Sequence, residues 1–316
     1  MNQNPVELPD ISERFDLKFR IGISGWTYPP WRGVFYPKGL VQNKELAYAS
    51  RRFNSIEING THYALQLPSS FEKWHDQTPD GFVFSIKSSR FITHIKRLAE
   101  VEATLPNFFA SGVLALREKL GPFLWQLPPS LRFDPERVAT FLAALPRSTH
   151  EAAHLAKRHD ERLNGKVFLT PGEDRPLRHA MEVRHESFRT PAFFDLLRRH
   201  NIAFVFGDSG GAWPYAEDLT SDFIYVRLHG VEKLYSNGYT DEALDYWASR
   251  LRCWIVGKTT SDPQLVLPAP AKPVKIDVAF VYFDTDLKVK APFNAAGLRE
   301  RLESPRKKRK RDAPAK

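Results

Sequence analysis

An eightfold alternation limits this chain more than any other feature of its sequence. Eight short apolar, β-branched or aromatic runs recur along it, each closed by turn residues or a polar break. They are Arg20–Ser24, Asn54–Ile58, Phe82–Lys87, Phe123–Leu127, His179–Arg184, Ala203–Gly207, Phe223–His229 and Lys275–Phe283. Stretches with helical spacing lie between them, among them Asn43–Arg52, Ser70–Gln77, Pro135–Leu145, Pro191–His200 and Thr240–Val256. Pro135 and Pro191 suit first-turn positions, with Asp134 and Thr190 as caps. Strand and helix alternating eight times predicts an α/β chain whose parallel sheet closes into a (β/α)8 barrel of the TIM type. An open doubly wound sheet is the competing arrangement. It would want a glycine-rich phosphate turn after the first strand, where this chain reads Ser24-Gly25-Trp26-Thr27-Tyr28-Pro29-Pro30-Trp31.

A length of 316 residues suits one such barrel with insertions. The expected organisation is an N-terminal extension over 1–18, the barrel over 19–302 and a disordered basic tail over 303–316. Two connections are too long for ordinary turns, about 147–178 and 257–274. Both lead into strands, which predicts that they lie on the stability face, away from chemistry. Hydrophobic residues at 42% and charged residues at 26% place the chain among soluble globular proteins. Cys253 is the only cysteine, so neither an intramolecular disulfide nor a cysteine zinc site is open to the chain. With no apolar run of membrane length and no signal-like N-terminus, the expected setting is the cytoplasm, without membrane contact.

The net charge of +9 suggests nucleic acid, but its distribution weakens the suggestion. Residues 305–316 hold seven Lys/Arg against one Asp, and the rest of the chain has 39 basic against 36 acidic residues, only +3. A tail without apolar residues is read first as a solvated segment and second as an RNA or DNA contact.

Alternation within strands decides which polar side chains share a face. Glu57 and Asn59 lie together, as do Glu182 and Arg184. Tyr225, Arg227 and His229 form a third set, and Tyr282 and Asp284 a fourth. Lys87 ends the third run, Gln126 comes near the end of the fourth, and Asp208 follows the sixth. A lone pair such as Glu182–Arg184 or Glu57–Lys87 would read as a core ion pair. Seven strands ending in polar groups read instead as a pocket where barrel enzymes build their sites. Glu57, Glu182 and His229 are the candidate acid–base residues. Trp26, Tyr28, Asn59, Tyr63, Lys87, Gln126, Arg184, Asp208, Tyr225, Arg227, Tyr282 and Asp284 are the candidate substrate-binding residues. His185, on the opposite face from Arg184, reads as a supporting residue or helix cap.

No cofactor is indicated. His229, Glu57, Glu182, Asp208 and Asp284 would have to converge to hold a divalent metal, and Arg184, Arg227 and Lys87 beside them argue against it. The mixed charges favour a small anionic or polyhydroxylated ligand. The expectation is a hydrolase or lyase acting on a polar, anionic or carbohydrate-like substrate. The alternatives are a nucleic-acid-binding protein using the aromatic mouth and basic tail, and a non-catalytic metabolite-binding barrel.

Several motifs, in order, resemble the YecE-like family, a bacterial domain of unknown function. They begin with Ile21-Gly22-Ile23-Ser24-Gly25-Trp26 through Gly33-Val34-Phe35-Tyr36-Pro37. Ser55-Ile56-Glu57-Ile58-Asn59 with Thr61 and Tyr63 follows, then Lys87 and Phe91-Ile92-Thr93-His94. Gly121-Pro122, Gln126-Leu127-Pro128-Pro129, Glu182-Val183-Arg184-His185, Asp208-Ser209 and Tyr225-Val226-Arg227-Leu228-His229-Gly230 complete the set. The resemblance runs from about residue 20 to about 300. It implies a TIM barrel and no settled activity, and a likeness to apurinic endonucleases and sugar isomerases is analogy of fold only. This chain departs from the family pattern at Tyr282-Phe283-Asp284-Thr285-Asp286, where an amide is usual. It departs again at Phe188, where tryptophan is usual, and in the longer 147–178 insertion.

Overall fold

A computed structural model describes residues 7–230, 238–284 and 289–303. All eight runs form strands: β1 Phe19–Ser24, β2 Ser55–Ile58, β3 Val83–Lys87, β4 Leu120–Gln126, β5 His179–Glu182, β6 Ile202–Asp208, β7 Phe223–Leu228 and β8 Val278–Phe283. Each pairs in parallel with the next, and β8 pairs with β1, closing the barrel. Some strand ends differ from the expectation. β4 starts earlier, at Leu120, alongside a register shift between Phe84 and Ile86 of β3. β8 starts later, at Val278, after Lys275 and Asp277, which pair at 3.5 Å outside the sheet. The helix read at Asn43–Arg52 shortens to Glu45–Ala49 behind a single 3₁₀ turn. The Asp134 carboxylate accepts from the Arg137 amide as a cap, whereas the Thr190 side chain makes no capping bond.

The period of two sorts the strand residues into two layers. Outward side chains such as Ile23, Ile56, Ile86, Trp125, Met181, Phe206 and Val226 pack beneath the surrounding helices in the main core. Inward ones form a second cluster, with Leu124, Ala180, Val205, Tyr225, Phe280 and Tyr282 filling the lumen. The lumen is packed by complementing sizes. Tyr225 and Tyr282 cross it from β7 and β8 and meet Ser85 and Ser55, with hydroxyl oxygens 2.6 and 2.7 Å apart. Above this layer, at the C-terminal ends of the strands, the inward positions become charged.

The described part of the N-terminal extension is tied to the barrel. Leu8 and Ile11 are buried, and the Asn54 amide donates to the carbonyls of Asp16 and Phe19. The insertions depart from their expected place. In the first, the helix Thr149–Ala156 packs on the helix Val101–Ala110. The chain then climbs until Asp160, Arg162 and Leu163 line a cavity of about 360 Å³ with Tyr63, Ser89 and Phe91, which follow β2 and β3. In the second, Gln264 reaches a cavity of about 460 Å³ beside Asp208 and Ser209. Both connections begin on the stability face and extend past the helices to the strand-end side. Among the described residues, no helix is long and apolar enough to cross a membrane. The basic tail lies outside the described residues.

Gly22 faces the tightest approach between strands. A Cβ there would lie 1.8 Å from the Ser55 carbonyl oxygen, within the β1–β2 pairing, whereas a Cβ at Gly207 of β6 meets nothing within 4 Å. Gly22→Ala should therefore lose more than about 4 kcal/mol or fail to fold, and Gly207→Ala should change stability by less than about 1 kcal/mol. Urea unfolding of the two variants checks the contrast.

Candidate functional site

Eight positions share the layer at the strand ends: Ser24, Glu57, Lys87, Gln126, Glu182, Gly207, Arg227 and, just past β8, Asp284. The guanidinium of Arg227, fully buried, lies among three carboxylates. It donates through Nε and Nη2 to both oxygens of Glu57 (3.1 and 2.9 Å), through Nη1 to Glu182 (2.7 Å), and through Nη2 to Asp284 (2.7 Å). The acids come from β2, β5 and the residue after β8, so the arginine joins strands that do not neighbour one another. Glu57 is completed by the hydroxyls of Ser24 (2.9 Å) and Tyr225 (2.6 Å). Glu182 accepts further bonds from the Gln126 amide (3.0 Å) and from Arg184 Nε (2.8 Å).

Burial alone would raise Glu182 and Asp284, but Arg227 prevails. With Arg184, His229 and Lys87 it holds Glu182 well below the ordinary carboxylate range, and with His229 and Lys87 it does the same for Asp284. Arg227 in turn is held far above its usual value against the desolvation that opposes it. Lys87 goes the other way: burial, with Arg227 nearby, pulls its amine below the usual lysine range.

Around this floor lie further polar groups, several of them with few partners. His229 Nδ1 is 3.2 Å from Asp284 Oδ2, while its Nε2 has no partner among the described residues. Its ring meets Trp213 edge to face, with centroids 5.2 Å apart, and the Arg184 guanidinium stacks 3.8 Å above the same indole. On the β2–β3 side, His62 and His94 lie 5.1 Å apart. The His62 ring is within 2.8 Å of the Ser88 carbonyl, yet burial and Lys87 push its pKa down to about 4. Burial, Arg184 and Lys87 lower His94 as well.

The residues named from the sequence divide into groups. Glu57, Lys87, Gln126, Glu182, Arg184, Tyr225, Arg227, His229 and Asp284 come together. The Glu182–Arg184 ion pair forms, but Glu57 pairs with Arg227 and not with Lys87. Trp26, Tyr28 and Asn59 line a separate cavity of about 240 Å³ with Gln66 and Trp74. Tyr63 is 71% exposed and belongs to the cavity of the first insertion. Tyr282 sits one layer below the charges, on Ser55. Asp208 accepts from the Tyr239 hydroxyl (2.8 Å) and lines a cavity outside the barrel axis. The five side chains considered for a metal therefore do not converge, since Arg227 separates three of them and Asp208 is bonded elsewhere. Among the described residues, no group of three or more His, Cys, Asp or Glu side chains is arranged to hold one. His185 caps a 3₁₀ turn, accepting from the Ser187 amide. Trp213, His62 and His94 were missed by the strand-face reading because they stand in connections. An aromatic just after Ser209-Gly210-Gly211 was the available signal for Trp213.

Replacing Arg227 by Met should leave three buried carboxylates without their cation and cost about 3–5 kcal/mol at neutral pH. In the wild type Glu182 and Asp284 have depressed folded values, so their stabilisation is complete above their unfolded pKa of about 4 and is lost as pH falls below it. In Arg227→Met the unpaired acids should titrate upward, so its deficit should narrow as pH is lowered toward about 4. Denaturant unfolding of both proteins across that range measures the crossing trends.

The family described as "Protein of unknown function DUF72" matches residues 20–316. The UPF0759 protein YecE of Escherichia coli K12 is 26% identical over 259 residues, covering 79% of this chain and 86% of that protein. The UPF0759 protein YunF of Bacillus subtilis is 30% identical over 124 residues, or 38% of this chain and 43% of that protein. A DUF72 family protein of Thermotoga maritima has the same fold, with a TM-score of 0.63 at 23% identity over 91% of this chain and all of that one. Another, from Enterococcus faecalis, superposes with a TM-score of 0.60 at 14% identity, over 92% and 99% of the two chains. The chain belongs to the DUF72 family, together with YecE.

Proposed function

We propose that the strand-end layer is the active site of a hydrolase or lyase for a small polar, anionic or carbohydrate-like substrate. The observation that carries this reading is the pairing of His229 with Asp284. A carboxylate that accepts from Nδ1 fixes the proton there and leaves the Nε2 lone pair to take a proton from a substrate or water. Arg227 keeps Asp284 ionised, and Trp213 limits the tilt of the ring. Arg184, partly buried at the rim, supplies a planar donor for a carboxylate, phosphate or diol, with the Lys87 amine beside it.

The two glutamates take a different part from the one read in the sequence. Glu57 is fully buried with both oxygens bonded twice, and Glu182 holds Arg227, Arg184 and Gln126. We assign them the positioning of the cations and His229 the acid–base work.

Protein incubated with phosphorylated and hydroxylated metabolites, followed by mass spectrometry of the mixture, tests the reading. His229→Gln should slow turnover by about a hundredfold or more while shifting the melting temperature little. Arg184→Ala should weaken substrate binding mainly through KM. If wild-type protein retains a small molecule from cells and returns every candidate unchanged, a metabolite-binding barrel replaces the enzyme.

A further inference from the structure

Lys87 ends β3 in the charged layer, yet it is bound unlike the other cations there. Arg227 has three carboxylates, and Arg184 has Glu182 and the face of Trp213. Lys87 is only 9% exposed, and its side-chain amine forms no hydrogen bond or ion pair with any described residue. Glu57 cannot turn to it without giving up partners. Glu57 Oε1 already accepts from Ser24 and Arg227, and Oε2 from Tyr225 and Arg227. Lys119 shows what a structural buried lysine does in this fold. It is 3% exposed, and its ammonium donates to the carbonyls of His75 and Thr78, both at 2.7 Å. Lys87 has no such anchors, and its amine is aimed at the layer where substrate is proposed to bind.

We propose that Lys87 is a nucleophile that captures a carbonyl substrate as an imine, the substrate being an aldehyde or ketone with a neighbouring anionic or hydroxylated group. This deepens the active-site reading above, on which it rests, and selects the lyase branch. The neutral Nζ lone pair attacks the carbonyl carbon, and the π pair moves to oxygen, which is protonated. One amine hydrogen supplies that proton, and the resulting carbinolamine loses its hydroxyl together with the second amine hydrogen as water, leaving a C=N bond with no change of oxidation state. Burial and the nearby Arg227 keep more of the amine neutral than at an exposed lysine. Protonated on nitrogen, the imine then accepts the electron pair of a bond broken next to the former carbonyl carbon and becomes an enamine, with His229 placed to take the proton. Arg184 meets the anionic or hydroxylated end.

Full-length protein treated with glyoxylate, or with dihydroxyacetone phosphate, and sodium cyanoborohydride at neutral pH tests this directly, because hydride fixes the imine as a stable amine. Peptide mass mapping should find the Lys87 adduct forming at least about tenfold faster than adducts at exposed Lys73 and Lys157, since binding in the site holds the carbonyl beside the amine. Labelling of Lys87 no faster than those lysines with either probe would overturn the proposal. The two readings fail separately. Turnover that depends on His229 without a fast Lys87 adduct removes the nucleophile alone, and a fast adduct with turnover indifferent to His229→Gln removes the acid–base assignment alone.

Discussion

A guanidinium fully removed from water, as at Arg227, is tolerable only if its counter-charges are buried with it. Here they come from three separate strand ends, and four of its five N–H donors are used on them. This one group sets the rotamers of Glu57, Glu182 and Asp284. Through Glu182 it fixes Arg184 and Gln126, and through Asp284 it fixes His229. An apolar residue of similar size would fill the space, but the acids around it would lose their charge and the rim groups their orientation. The network is better understood as a device for geometry than as a source of stability.

The layer beneath makes that device feasible. Tyrosines from β7 and β8 cross a lumen whose opposite wall carries serines, so the interior is closed by rings while their hydroxyls remain bonded. Tyr225 joins the two layers, since its hydroxyl donates upward to Glu57. Burial holds the Tyr225 and Tyr282 phenols far above their usual range, so they remain hydrogen-bond donors and do not add negative charge beside the acids.

Strand alternation made much of this legible before the structure. A period of two placed Glu57, Glu182, Arg184, Tyr225, Arg227 and Asp284 on inward faces, and inward faces of a closed sheet must meet. The same rule could not place Tyr63, which lies beyond β2 in a short helix, nor Asp208, whose partner Tyr239 comes from a distant connection. It said which side of the barrel wall a residue occupies and not its height, so Tyr282 was grouped with a pocket it only supports. The insertions escaped for a further reason. Their sequence records where they leave and rejoin the barrel, whereas their climb along the helices follows from contacts such as Asp160 with Asn107 that no local pattern announces. Trp213 and the pair His62 and His94 were hidden in the same way.

The distribution of the Arg227 partners along the chain also bears on biosynthesis. Glu57 and Glu182 leave the ribosome before the arginine that neutralises them, and Asp284 follows well after it. A chain halted after β5 would have its outward apolar faces but would hold two lumen acids without the Arg227 guanidinium that bridges them. Closure of the sheet and neutralisation of its interior must then come in the same late step. Partial barrels are thereby penalised electrostatically as well as by their open edges, which favours an all-or-none assembly over a stable nascent half.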